Sequence, residues 1–90
     1  MMQTCILDGA TIRDKETLHT LLAEGLNFPC WYGRNLDALY DCLTDVQEET
    51  EVVLLNMKLL EESLGHYTVS LMGVLQKASE ENANVRVNIR

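Results

Sequence analysis

The run Val52-Val53-Leu54-Leu55 constrains this chain more than any other feature. Continuously apolar and preceded by the acidic stretch DVQEET (residues 45–50), it reads as a short strand covered on both sides, as in the middle of a parallel sheet. Two further strand candidates lie at the ends of the chain. Residues 3–7, QTCIL, stop at the turn signal Asp8-Gly9. Residues 85–89, VRVNI, alternate, which predicts Val85, Val87 and Ile89 on one side. Helix-period segments separate the three. Asp14 is placed as an N-cap for a helix to about residue 24, with Leu18, Leu21 and Leu22 on one face and Gly25 to stop it. Asn35 can cap a helix over about 35–44, where Leu36, Leu39 and Leu43 share a face. A short helix fits 58–62 before the break at Gly65. A longer one over about 67–82 presents Val69, Met72 and Leu75 to the core, with Leu71, Val74 and Ala78 alongside. Gly73 inside it signals either close packing or local weakness. Strands alternating with helices predict an α/β fold: a small three-stranded parallel sheet with right-handed crossovers and the all-apolar strand in the centre. Helices are expected to cover one face well and the other partially.

At 90 residues the chain is expected to be a single domain spanning 1–90. Seven Lys and Arg against fourteen Asp and Glu give a formal charge of -7. No basic stripe is present to offset phosphate charge, so nucleic acid is excluded as a direct ligand, and an anionic membrane surface would repel the chain. No apolar run approaches the roughly 20 residues of a membrane helix. The opening MMQTCILDG has neither the basic nor the long apolar segment of a signal peptide, which points to the cytoplasm. Cys5, Cys30 and Cys42 are odd in number and form no CxxC or Cys/His ligand spacing. They read as reduced, mostly buried thiols, and neither a metal nor another cofactor is expected.

The acidic residues are unevenly placed. No basic residue lies between Arg34 and Lys58, a window that holds Asp37, Asp41, Asp45, Glu48, Glu49 and Glu51. The three aspartates fall at i, i+4 and i+8, on one face of the helix, opposite Leu36, Leu39 and Leu43. Like charges at this spacing destabilise a helix by about 0.2–0.5 kcal/mol per pair. The helix dipole favours Asp37 in the first turn, does little for Asp41, and opposes Asp45 near the negative end. On charge alone such a face reads equally well as solvated surface. Its neighbours add a second signal. Trp31 and Tyr32 lead directly into the helix and Tyr40 lies on it, within packing reach of Leu36 and Leu43. Aromatic area beside concentrated charge is a composition suited to protein binding.

Residues 29–44, PCWYGRNLDALYDCLT, strongly resemble the signature of the barstar family, small intracellular inhibitors of secreted ribonucleases. The shared pattern is aromatic-Tyr-Gly-x-Asn-Leu-Asp-Ala-Leu-aromatic-Asp-Cys-Leu-Thr. The Asp8-Gly9 turn, the pair Leu18-His19 and the closing helix and strand also stand where the family has them. The resemblance implies strand order 1-2-3 with helices packed on the sheet. It also implies a protein that blocks the active site of a small basic ribonuclease in a 1:1 complex and is a monomer when free. By position in the motif, Asp41 resembles the carboxylate that enters the enzyme's phosphate pocket. Asp37 resembles a second acidic contact, to a base on the enzyme's rim, and Thr44 a polar contact at the helix end. The expected partner surface is Trp31, Tyr32, Asn35, Asp37, Tyr40, Asp41, Thr44 and Asp45. Three departures stand out. Lys77 occupies the position of an acidic contact in the family's best-known inhibitor, Arg34 adds a positive charge beside the surface, and the loop after Thr44 is more acidic and lacks an aromatic. They imply a different target enzyme.

Two other readings use the same residues. An antitoxin or immunity protein for a different cationic toxin would employ the acidic helix in the same way. An enzyme would need acid–base or metal chemistry from Asp37 and Asp41, which lie on an apparently convex helix face where water is not excluded. His19 shares its helix with Leu18 and Leu22 and reads as a surface or packing residue. His66 follows Gly65 in a connection and reads as solvated. Cys42 sits near a helix C-terminus, where the dipole raises a thiol pKa. The residues therefore predict a binding protein and no catalyst.

Overall fold

A computed structural model describes residues 2–90. Strand β1 (Gln3–Asp8) leads to helix α1 (Lys15–Gly25) and then, through a long loop, to α2 (Leu36–Thr44). Strand β2 (Thr50–Leu55) follows, then α3 (Met57–Leu64), α4 (Tyr67–Glu81) and β3 (Val85–Ile89). The three strands form one parallel sheet in the order β1-β2-β3. The apolar run therefore lies in the centre, where its backbone groups pair on both sides. Cys5, Val52 and Val87 stand in one row of the sheet, and Ile6, Val53 and Asn88 in the next.

The pleat turns successive side chains to opposite faces, and only one face carries the core. Cys5, Leu7, Val52, Leu54 and Val85 join Leu18 and Leu22 of α1, Leu39 and Leu43 of α2, Leu60 of α3, and Leu71, Leu75 and Ala78 of α4 in a single cluster. All four helices feed this cluster. The sequence pattern predicts partial cover of the second face as well. Instead, Ile6 and Arg86 are exposed there, and Val53, although only 3% exposed, stands outside the core cluster.

Two local expectations are corrected. The buried stripe of α4 is Thr68, Leu71, Leu75 and Ala78, while Val69 is 64% exposed. The stripe is rotated because α4 must face α2 and the sheet together, a constraint that its broad apolar pattern does not contain. Val85, Val87 and Ile89 share one side of the sheet, in register with Thr50, Val52 and Leu54, with Val85 buried, Val87 half-buried and Ile89 exposed on the edge strand. Gly25 does not stop α1. It is the last helical residue, and a side chain there would bring a Cβ within 2.9 Å of Cys5 Sγ, so glycine permits the close approach of α1 to β1. At Gly73 an added Cβ would meet nothing, which leaves local weakness rather than close packing as its effect.

Candidate protein interface

Loop 26–35 turns the chain from α1 into α2. Leu26 is buried, and Asn27 adopts φ 56°, a left-handed conformation that asparagine tolerates better than most residues. The Phe28 amide donates to the Ala23 carbonyl at 3.0 Å, and the Tyr32 amide to the Pro29 carbonyl at 3.0 Å, closing a turn around Cys30 and Trp31. The rings of Phe28 and Tyr32 pack tilted with centroids 4.8 Å apart. Tyr32 is buried, and Trp31 at the tip is 76% exposed. A large exposed aromatic on an ordered turn is apolar area that folding leaves unused.

Tyr32 is held from inside. Its hydroxyl lies 2.6 Å from Nδ1 of His19, whose Nε2 lies 2.8 Å from the Tyr67 hydroxyl. His19 is 1% exposed, so both ring nitrogens find partners in place of water. Burial, and secondarily the charge of Arg34, lowers the His19 pKa below its ordinary value. Burial pushes the Tyr32 and Tyr67 phenols up. His19 is thus a packing residue as its neighbours Leu18 and Leu22 suggest, but its role as a buried polar bridge depends on tyrosines 13 and 48 positions away.

Asn35 begins α2 as predicted. Its side-chain oxygen accepts from the Ala38 amide at 2.8 Å, and its side-chain nitrogen donates to the Gly33 carbonyl at 3.2 Å. Leu39 and Leu43 are fully buried, while Asp37, Asp41 and Asp45 are exposed. Tyr40 is half-buried and donates its hydroxyl to Glu81 of α4, and the Lys77 ammonium lies 5.3 Å from its ring centroid. Tyr40 and Lys77 therefore meet at the α2–α4 seam. The Thr44 hydroxyl donates back into its own helix, to the carbonyls of Tyr40 (3.0 Å) and Asp41 (3.1 Å). Arg34 is turned onto α1, where it donates to the Glu16 carbonyl and the Thr20 hydroxyl.

Between the loop and the C-terminal half of α2 runs an open groove of about 810 Å³. Phe28, Pro29, Trp31 and Tyr32 form one wall, Asp41, Cys42, Thr44 and Asp45 the other, and Val46, Gln47 and Glu48 extend it. The surface beside Asp41 is concave, contrary to the convex face expected from a helix alone, because the loop rises next to it. The structure thus gathers Trp31, Tyr32, Asp41, Thr44 and Asp45 around one depression, and leaves Asn35, Asp37 and Tyr40 outside it. Phe28, Cys42 and the 46–48 segment were missed by sequence reasoning. The extended backbone imposed before Pro29 and the acidic run after Thr44 were the available signals.

The groove offers little for chemistry. Burial, together with the charges of Asp41 and Asp45, raises the Cys42 pKa, which keeps the thiol protonated near neutral pH. His19 lies behind Tyr32, and His66 is exposed in the α3–α4 connection. Among the described residues no group of three or more His, Cys, Asp or Glu is arranged to hold a metal ion, and no helix is long and apolar enough to cross a membrane. The thiols do not share one environment. Cys5 is buried with its pKa raised to about 11, Cys42 is half-buried, and Cys30 is exposed, which corrects the expectation that the thiols are mostly buried.

A small parallel sheet with helices on one face presents an acidic helix beside an exposed aromatic turn, a surface composition suited to protein binding. The family model described as Barstar (barnase inhibitor) matches residues 2–90, and the chain belongs to the barstar family. It is also 43% identical over 81 residues, covering 89% of both chains, to a Bacillus subtilis (strain 168) protein named "Putative ribonuclease inhibitor YrdF".

Proposed function

We propose that this protein inhibits a small basic ribonuclease by covering its active site with α2 and the turn at Trp31. Family membership and the Bacillus subtilis relative support ribonuclease inhibition in general. The observation that carries the finer reading is the groove in which Asp41 and Asp45 face the exposed Trp31 turn, both carboxylates standing on exposed residues. A ribonuclease must bind a polyanion, so its site is a cationic, partly desolvated cleft. A rigid acidic helix imitates phosphate charge without offering a scissile bond. Asp41 is the carboxylate that enters the phosphate pocket, and Asp37 contacts the rim. Trp31 supplies apolar contact area at low entropic cost. A single-signed face also draws the oppositely charged cleft at long range and speeds capture. Fast 1:1 capture by a monomer in the cytoplasm would protect the cell that makes the enzyme.

The test is RNA cleavage by a panel of small basic secreted ribonucleases with and without the protein. Stoichiometric inhibition of at least one is expected, and no inhibition by excess protein of any member would overturn the reading. Capture of a basic protein that does not cleave RNA would instead identify an immunity protein for another toxin.

A further inference from the structure

One face of α1 holds the turn that carries Trp31, and we propose that Arg34 is a positioning residue. Clamped on α1, its guanidinium sets the conformation in which the turn meets a ribonuclease. The proposal rests on the inhibitory reading of this surface. Three ties join the loop to α1. The Phe28 amide donates to the Ala23 carbonyl at 3.0 Å. The Tyr32 hydroxyl lies 2.6 Å from His19 Nδ1. Arg34 Nη2 donates to the Glu16 carbonyl at 2.9 Å and to the Thr20 hydroxyl. Residues 16, 19, 20 and 23 share one helix face, and none of them lines the groove.

Arg34 bears the strain of this arrangement. Its φ of 55° lies in the left-handed region, which suits glycine or asparagine and is unfavourable for arginine. Such a conformation persists only where the surroundings over-determine it. Here the side chain is fastened to α1, and Asn35 ties back to the Gly33 carbonyl across it. Asn27, at φ 56°, marks the other end of the same loop. A loop fixed at both ends and in the middle loses less freedom on binding, and so preserves more of its contact energy.

Clamp and charge predict opposite signs. If Arg34 were only a misplaced cation beside an acidic surface, removing it would speed association with a basic enzyme. If it positions the turn, removing it weakens inhibition. The experiment compares native protein with Arg34→Gly, Thr20→Val and a remote charge control, Arg13→Ala. It measures amide order parameters of Trp31, Tyr32 and Gly33 in the free protein, melting temperature, and the inhibition constant against a basic ribonuclease that the native protein inhibits. In Arg34→Gly the order parameters are expected to fall from about 0.85 to below about 0.6. The melting temperature should hold or rise, because glycine relieves the left-handed strain, while inhibition weakens about tenfold. Thr20→Val, which leaves the charge intact, should shift order and inhibition in the same direction by a smaller factor. Arg13→Ala should leave inhibition unchanged or tighter. A turn that stays rigid in Arg34→Gly, or inhibition that stays equal or tightens, overturns the proposal. If the native protein inhibits no ribonuclease, the inhibitory reading fails by that result, and the order parameters of the free protein still decide whether the clamp exists.

Discussion

Helices α1 and α2 follow the same plan and differ in where their polar groups point. Each begins behind a side-chain cap: the Asp14 carboxylate accepts from the Thr17 amide at 2.7 Å, and the Asn35 amide oxygen from that of Ala38 at 2.8 Å. Each lies on the core through fully buried leucines, Leu18 and Leu22 in one and Leu39 and Leu43 in the other. On α1 the buried polar residue, His19, is bonded on both sides, and the Lys15 ammonium lies over the Tyr67 ring at 4.5 Å from its centroid. On α2 the exposed charges are all acidic, and Asp37 and Asp41 stand one turn apart. The fold uses the polar side of α1 and leaves the acidic side of α2 free. A helix held by its buried leucines, its Asn35 cap and its seam with α4 has its acidic outer face available for a partner.

The largest effect expected from this contrast is on binding. Asp41→Ala should weaken inhibition of a target ribonuclease by at least about 2 kcal/mol, roughly thirtyfold, and Asp37→Ala by clearly less. Titration calorimetry against the inhibited enzyme measures both. Equal, small losses would reduce α2 to a diffuse charge. Next comes the scaffold. His19→Phe leaves the Tyr32 and Tyr67 hydroxyls without their buried partner and should cost about 1–3 kcal/mol in urea unfolding. A loss within error of zero would remove the distinction between the two helices.

A third expectation concerns pH. The folded state holds His19 neutral, with a pKa below the unfolded value of about 6.5. Between those two values the unfolded chain binds more protons, so stability rises with pH. The His19 contribution is therefore fully present above about 6.5 and is lost as pH falls through this window toward the folded pKa. Urea midpoints measured from pH 7.5 down to 5 should decline in the native protein and decline less in His19→Phe. The smallest effect belongs to α2. Asp41→Ala should leave stability unchanged or raise it by about 0.2–0.5 kcal/mol, by relieving like charges. A clear fall in the calorimetric melting temperature would show that α2's acidic face supports the fold after all.

The order of elements was legible because apolar period, caps and turn residues act over a few positions. Asp14 and Asn35 each cap the helix that follows them, and the run at 52–55 lies at the centre of the sheet. The buried stripe of α4 departs from the predicted one at Val69, since a broad apolar face does not state which part meets α2. At the candidate interface, the acidic spacing of α2 and the exposed aromatic at residue 31 could be anticipated, but the groove could not. It exists because Pro29 and the two left-handed residues raise the turn beside α2.

The sequence by itself determined the alternation of strands and helices, the family signature at 29–44 and the concentration of negative charge after Arg34, all properties of near neighbours along the chain. Only the tertiary structure decided that Arg34 turns onto α1, that His19 bridges two tyrosines, and that Asp41 borders a groove while Asp37 does not. Each of those outcomes requires residues from separate elements to meet, and local pattern holds no information about which of the available partners a long polar side chain will find.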